Sequence, residues 1–236
     1  MRSLVVVAAL VALAGCGGGG EDDDLVVFAA SSLNGIADEI DPAADVVFAG
    51  SNDLAAQIRD GAAAGVFLSA SAKPLEELRD MGLVEEPVVF ATNRLVLIVP
   101  AENTAAVTHL HDLTRAGVKL VLGADGVPIG DYARASLELA GLGAALENVV
   151  SLEEDVKGVV GKIALGEADA GIVYATDVHA ADVRSIPISE HFQPKIRYYA
   201  AIVSPGSDGA RRYLERLLGV EGEAALRGAG FLAAPS

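Results

Sequence analysis

Four short stretches place hydrogen-bond donors where an apolar run gives way to a helical pattern. Ser31-Ser32 follows the run Leu25 to Ala30, and Gly50-Ser51-Asn52 follows Val46 to Ala49. Pro128-Ile129-Gly130 precedes a helix expected from Asp131, and Asp155-Val156 opens another. In open α/β sheets ligands lie beyond the carboxyl ends of the strands. The free N–H groups of a helix start favour negative charge. The chemistry on offer is therefore the holding of an anion by hydroxyls and amides. Each joint taken alone reads equally as an ordinary helix cap.

Other constellations offer less. Ser69, Ser71 and Lys73 invite a Ser/Lys nucleophile, but they lack Ser-x-x-Lys spacing and the chain has no Gly-x-Ser-x-Gly elbow. His109 and His111 have no Cys or third His near them to complete a metal site. Glu153, Glu154 and Asp155 are acids ahead of a helix, where they serve its dipole more readily than a cation. No catalytic residue, cofactor or metal is expected, and the chain reads as a binder rather than an enzyme.

The elements that must position these groups alternate. Apolar runs at 25–30, 46–49, 66–69, 95–99, 119–123, 171–174 and 198–203 read as buried strands. Helical patterns span 33–40, 53–60, 74–81, 131–140, 156–165, 210–218 and 221–229. Such βα alternation predicts an α/β fold with parallel sheets covered on both faces. The chain has 236 residues, of which 52% are hydrophobic and 21% charged, enough for one large domain or two lobes. A formal net charge of −16 argues against nucleic acid as a partner.

The N-terminus reads as an export signal: Arg2, an apolar stretch from Leu4 to Ala14 too short to span a bilayer, then Leu13-Ala-Gly-Cys16. This resembles a lipobox, with residues 1–15 removed and lipid on Cys16, which anchors the protein to the cell membrane. Residues 16–24, Gly-rich and then acidic, read as a tether.

The ordered set Phe28-Ala-Ala-Ser-Ser-Leu33, Phe48-Ala-Gly-Ser-Asn-Asp-Leu54, Val127-Pro-Ile-Gly130, Glu154-Asp-Val156 and Gly171-Ile-Val-Tyr-Ala-Thr-Asp177 resembles the periplasmic molybdate-binding proteins of ABC transporters. The resemblance implies a type II periplasmic-binding-protein fold, two α/β lobes joined by a two-strand hinge, with lobe I at 25–100 and 199–236 and lobe II at 101–198. Leu95 to Val99 and Tyr198 to Val203 are the implied crossings. It also implies that molybdate or tungstate is held by the side chains of Ser32, Ser51 and Tyr174 and the backbone N–H groups of Ile129 and Val156, with Ser31 or Asn52 N–H groups adding to these. The implied partners are the small oxyanion and a membrane permease, with the binding protein a monomer. A fully deprotonated tetrahedral dianion needs donors only, and the implied set is all donors. Asp53, Asp131 and Asp155 lie near it in sequence. A binder for sulfate, phosphate or a small organic anion is the nearest alternative. The chain departs from the family pattern at Gly65 and Ser71, where acids are usual, and at Ile129, where a small residue is usual.

Overall fold

The computed structural model describes residues 25–178 and 182–235. The proposed signal peptide, the tether and Cys16 lie outside them.

Two mixed sheets form the frame. The first holds β1 (Val26–Ala30), β2 (Asp45–Ala49), β3 (Val66–Ser69), β4 (Val88–Asn93), β10 (Ile196–Ile202) and β11 (Leu232–Ala233), in the order β11-β4-β10-β3-β1-β2. The second holds β5 (Leu95–Pro100), β6 (Leu120–Gly123), β7 (Val149–Glu153), β8 (Ala170–Tyr174) and β9 (Val183–Pro187), in the order β7-β6-β8-β5-β9. Only the triplets β2-β1-β3 and β7-β6-β8 are parallel; the remaining pairings are antiparallel. The expectation of all-parallel sheets thus holds for the halves that carry the joints. It fails at β4, β5, β9, β10 and β11, which pair antiparallel.

The crossings fall at Arg94, a single residue between β4 and β5, and between β9 and β10 at 188–195. The two segments expected to cross, Leu95 to Val99 and Tyr198 to Val203, instead lie one in each sheet, just after the crossings.

The helices are α1 (Ala37–Ile40), α2 (Ser51–Arg59), α3 (Lys73–Asp80), α4 (Pro128–Leu139), α5 (Val156–Ala164), α6 (Asp208–Leu218) and α7 (Val220–Gly228). The helix expected over 33–40 is split. A 3-10 turn covers Ser31–Leu33, and Gly35 at φ +85 breaks the run before α1. α2 and α4 start two and three residues earlier than their apolar periodicity indicates, at Ser51 and Pro128. α2 buries Leu54, Ala55 and Ile58 against Phe28 and Phe67 under the first sheet. That contact fixes where its N-terminus ends up. Among the described residues no helix is long and apolar enough to cross a membrane.

Candidate functional site

At the carboxyl ends of β1 and β2 in one sheet, and of β6, β7 and β8 in the other, the chain turns into helices that face each other. The N-termini of α2, α4 and α5 meet there around a narrow cavity of about 10 Å³. Ser31, Ser32, Gly50, Ser51, Ile129, Asp155, Val156 and Tyr174 are among the residues that line it. All five residues implied as ligand contacts therefore face one cavity, although Tyr174 is 142 positions from Ser32 in sequence. Asn52 does not line it; its amide turns aside to donate to Asp53 Oδ1 at 3.0 Å.

The backbone reaches this arrangement through glycine at two contacts. A Cβ on Gly50 would stand 2.6 Å from the carbonyl oxygen of Glu154, so the two halves touch backbone to backbone at that point. A Cβ on Gly130 would stand 2.2 Å from the Ala124 carbonyl, which lets α4 start hard against the end of β6.

The donors are oriented by their partners. Ser51 is the first residue of α2, not its cap, and its Oγ accepts the Ala70 N–H at 3.1 Å. Ser32 Oγ accepts the Tyr198 hydroxyl at 2.9 Å. Each serine has an acceptor position filled by protein, which leaves its own hydrogen for the cavity. Tyr174 is 1% exposed, and its hydroxyl has no hydrogen-bond partner. Burial pushes its ionisation far above the usual tyrosine range, with Tyr198 and Tyr132 adding to this, so it stays a donor. α2 and α4 have no side-chain cap, and a helix start leaves its first N–H groups without intrahelical partners. α5 is capped by Asp155, which accepts Gly158 N–H at 2.9 Å and so leaves Val156 N–H free.

The nearby acids are engaged elsewhere. Asp131 Oδ1 accepts Gly126 N–H at 2.9 Å, and Asp155 serves its helix. Asp53 sits at the rim, where burial first, and then Glu154 and Asp155 across the gap, raise its carboxyl above the ordinary range. No Lys or Arg lines the cavity; Lys157, next to Val156, pairs with buried Asp177 at 2.9 Å. The wall thus carries no cationic side chain, and the one acid among the described residues that line it, Asp155, caps α5.

The residues weighed as alternatives are placed differently. Ser69 Oγ donates to Ser71 O at 2.7 Å and closes a turn. His109 sits at the start of the exposed 3-10 turn Leu110–Thr114, with Nδ1 2.8 Å from Thr108 Oγ1. Gly65 lies at the amino end of β3, opposite the cavity, where its N–H bonds Val26 O at 2.8 Å, so the missing acid there does not touch the site.

Sequence reasoning missed Tyr198 and Asn93, which stand behind Ser32. Tyr198 is fully buried and Asn93 nearly so. Neither carries a local signal of its place: Tyr198 donates to Ser32, 166 positions away, and Asn93 donates to Thr176, 83 positions away.

Comparison with known proteins agrees with this geometry. The family model of bacterial extracellular solute-binding proteins matches residues 25–232. The molybdate-binding protein ModA of Escherichia coli is 30% identical over 197 residues, covering 75% of this chain and 76% of that protein. ModA of Mycobacterium tuberculosis is 37% identical over 161 residues, which span 64% of this chain and 60% of the mycobacterial protein. Among solved structures, the periplasmic molybdate-binding protein of Azotobacter vinelandii superposes with a TM-score of 0.78 over 89% of this chain and 100% of that one, at 21% identity, a likeness of fold. The two mixed α/β sheets have the type II arrangement of periplasmic binding proteins. With the family model matched from the first strand to the last, this chain belongs to the bacterial extracellular solute-binding proteins.

Proposed function

We propose that the chain captures molybdate or tungstate outside the cytoplasmic membrane and delivers it to the permease of an ABC importer. The observation that carries this reading is the Tyr174 hydroxyl. It is buried and unpaired in a cavity also lined by Ser32, Ser51 and the starts of α2, α4 and α5. A buried hydroxyl without a partner costs free energy, and a bound anion removes that cost. Ser32, Ser51 and Tyr174 side chains with the N–H groups of Ile129 and Val156 form the site. Ile129 serves through its backbone, so its bulk does not remove the donor.

Absence of Lys and Arg from the cavity wall suits a net-acidic protein that binds an anion through dipoles. Charge-assisted hydrogen bonds of roughly 1.5–3 kcal/mol each offset the dianion's desolvation. The lobes divide at Arg94 and in 188–195, and the cavity lies between them. Cys16 anchors the chain by lipid, and Cys16→Ala should move it to the soluble fraction.

Isothermal titration with molybdate, tungstate, sulfate, hydrogenphosphate and chromate tests the reading. Molybdate and tungstate should bind tightest and nearly equally. Tighter sulfate or hydrogenphosphate binding would reassign the ligand, and no binding of any of the five would end the oxyanion reading.

A further inference from the structure

The second crossing is shorter than its span. Residues 188–195 run between β9 and β10, yet Gln193 ties that stretch to the second sheet. Its Oε1 accepts Leu95 N–H at 2.8 Å, and its Nε2 donates to Leu95 O at 2.9 Å and to Ile188 O at 3.2 Å. The orientation of the amide is fixed, because Leu95 N–H only donates and both carbonyls only accept. Pairing of β5 with β9 stops at Val96 opposite Pro187, one step short of Leu95. The amide of Gln193 fills the next place in that ladder, as a strand residue would. Its backbone N–H bonds Glu190 O at 3.2 Å, closing the turn from which the side chain reaches back.

With Gln193 held, only Pro194 and Lys195 separate it from Ile196, which pairs with Asn93 in the first sheet. Arg94 alone spans the other crossing. The two crossings therefore leave the first sheet side by side, at Asn93 and Ile196, and enter the second side by side, at Leu95 and Gln193. Pro194 has a fixed φ, which removes further freedom. On its other side Leu95 pairs with Tyr174, one of the residues that line the cavity.

We propose that Gln193 is a positioning residue for anion capture: its amide shortens the hinge to Arg94 and 194–195, and that short hinge holds the closed lobes on the bound anion. The proposal rests on the oxyanion reading above. Without the amide, the free chain grows from 194–195 to 189–195, and open arrangements multiply. Loop-closure entropy puts the effect of that lengthening on the order of sixfold. Closure follows entry of the ion, so the effect falls on release and not on association.

Two variants test it. Gln193→Ala removes both edges of the amide. Gln193→Glu, nearly isosteric, keeps the acceptor for Leu95 N–H but turns a second acceptor on the two carbonyls. Association and release of molybdate and tungstate should be measured on the full chain by stopped-flow tyrosine fluorescence, beside hydrogen exchange of the ligand-free protein. Release should quicken about three- to tenfold in each variant, by the same factor for both anions, with association within about twofold of the parent's. Exchange should quicken at 94–96 and 188–195 and stay level in the peptides that carry Ser32, Ser51 and Val156. Release rates equal to the parent's in a folded variant overturn the proposal. So does quickened release accompanied by faster exchange at Ser32, Ser51 or Val156, since that is general loosening and not a longer hinge. If Gln193→Ala fails to fold, Gln193→Glu decides alone. If the parent protein binds neither anion, the oxyanion reading falls too; if it binds them and release does not change in the variants, only this proposal falls.

Discussion

Tyr174 and Ser51 both face the cavity, yet they should respond to substitution in different ways. The Tyr174 hydroxyl bonds nothing in the protein, so Tyr174→Phe removes a buried, unpaired polar atom. Melting without ligand should stay level or rise by up to about 1 kcal/mol in stability. Molybdate affinity should fall tenfold to a hundredfold, or roughly 1.5–3 kcal/mol. Ser51→Ala should lower both, because it also strands the buried Ala70 N–H, at a cost of about 1–3 kcal/mol. Calorimetry on ligand-free protein, paired with titration, separates the two patterns. Ser32, Ser51 and Tyr174 were legible because short motifs place them at strand ends. Tyr198, Asn93 and the Ala70 N–H were not, since the bond from Tyr198 to Ser32 spans 166 positions and no local pattern encodes it.

The helix starts carry the site, and they are also where the sequence reading was least accurate. Periodicity sees the buried face of a helix, so it located Leu54 and Ile58 but not the first turn of α2, which faces the cavity. Similarly, β7 and β9 alternate between half-buried and exposed residues at sheet edges and give no continuous apolar run. The contact between Gly50 and Glu154 belongs to this scale. Gly50→Ala has a backbone conformation open to any residue, with φ −60 and ψ 140, so the fold should survive, at a cost of about 1 kcal/mol for the poorer cap. Its methyl, however, meets the Glu154 carbonyl, and molybdate affinity should drop at least tenfold by titration. The same rim gathers Asp53 with Glu154 and Asp155. An acid whose ionisation is raised by closure opposes closure while charged, and this penalty is relieved as pH falls from neutral toward that raised value. Molybdate affinity should therefore strengthen on mild acidification, within the range where the anion stays unprotonated. Asp53→Asn should bind more tightly at neutral pH and lose that dependence.

At the scale of the molecule, two sheets joined at Arg94 and at 188–195 make a hinge between lobes. Small-angle scattering should show a smaller radius of gyration with saturating molybdate than without it. An unchanged profile at demonstrated saturation would mean that the lobes do not move on binding. The two-lobe architecture was legible through the family resemblance and the βα alternation. The pivot was not, because one residue between two strands leaves no turn signature in the sequence.

The walls of the cavity are buried: Ser32, Ser51, Ile129, Val156 and Tyr174 are each at most 5% exposed. If parting of the lobes is the route by which an ion held among them reaches water, its residence time should be set by how often they open and not by how fast the ion diffuses. Molybdate and tungstate, alike in size and charge, should then leave at similar rates. A permease that pries the lobes apart would gain command of the moment of release, and the protein would act as a clock for delivery as well as a trap.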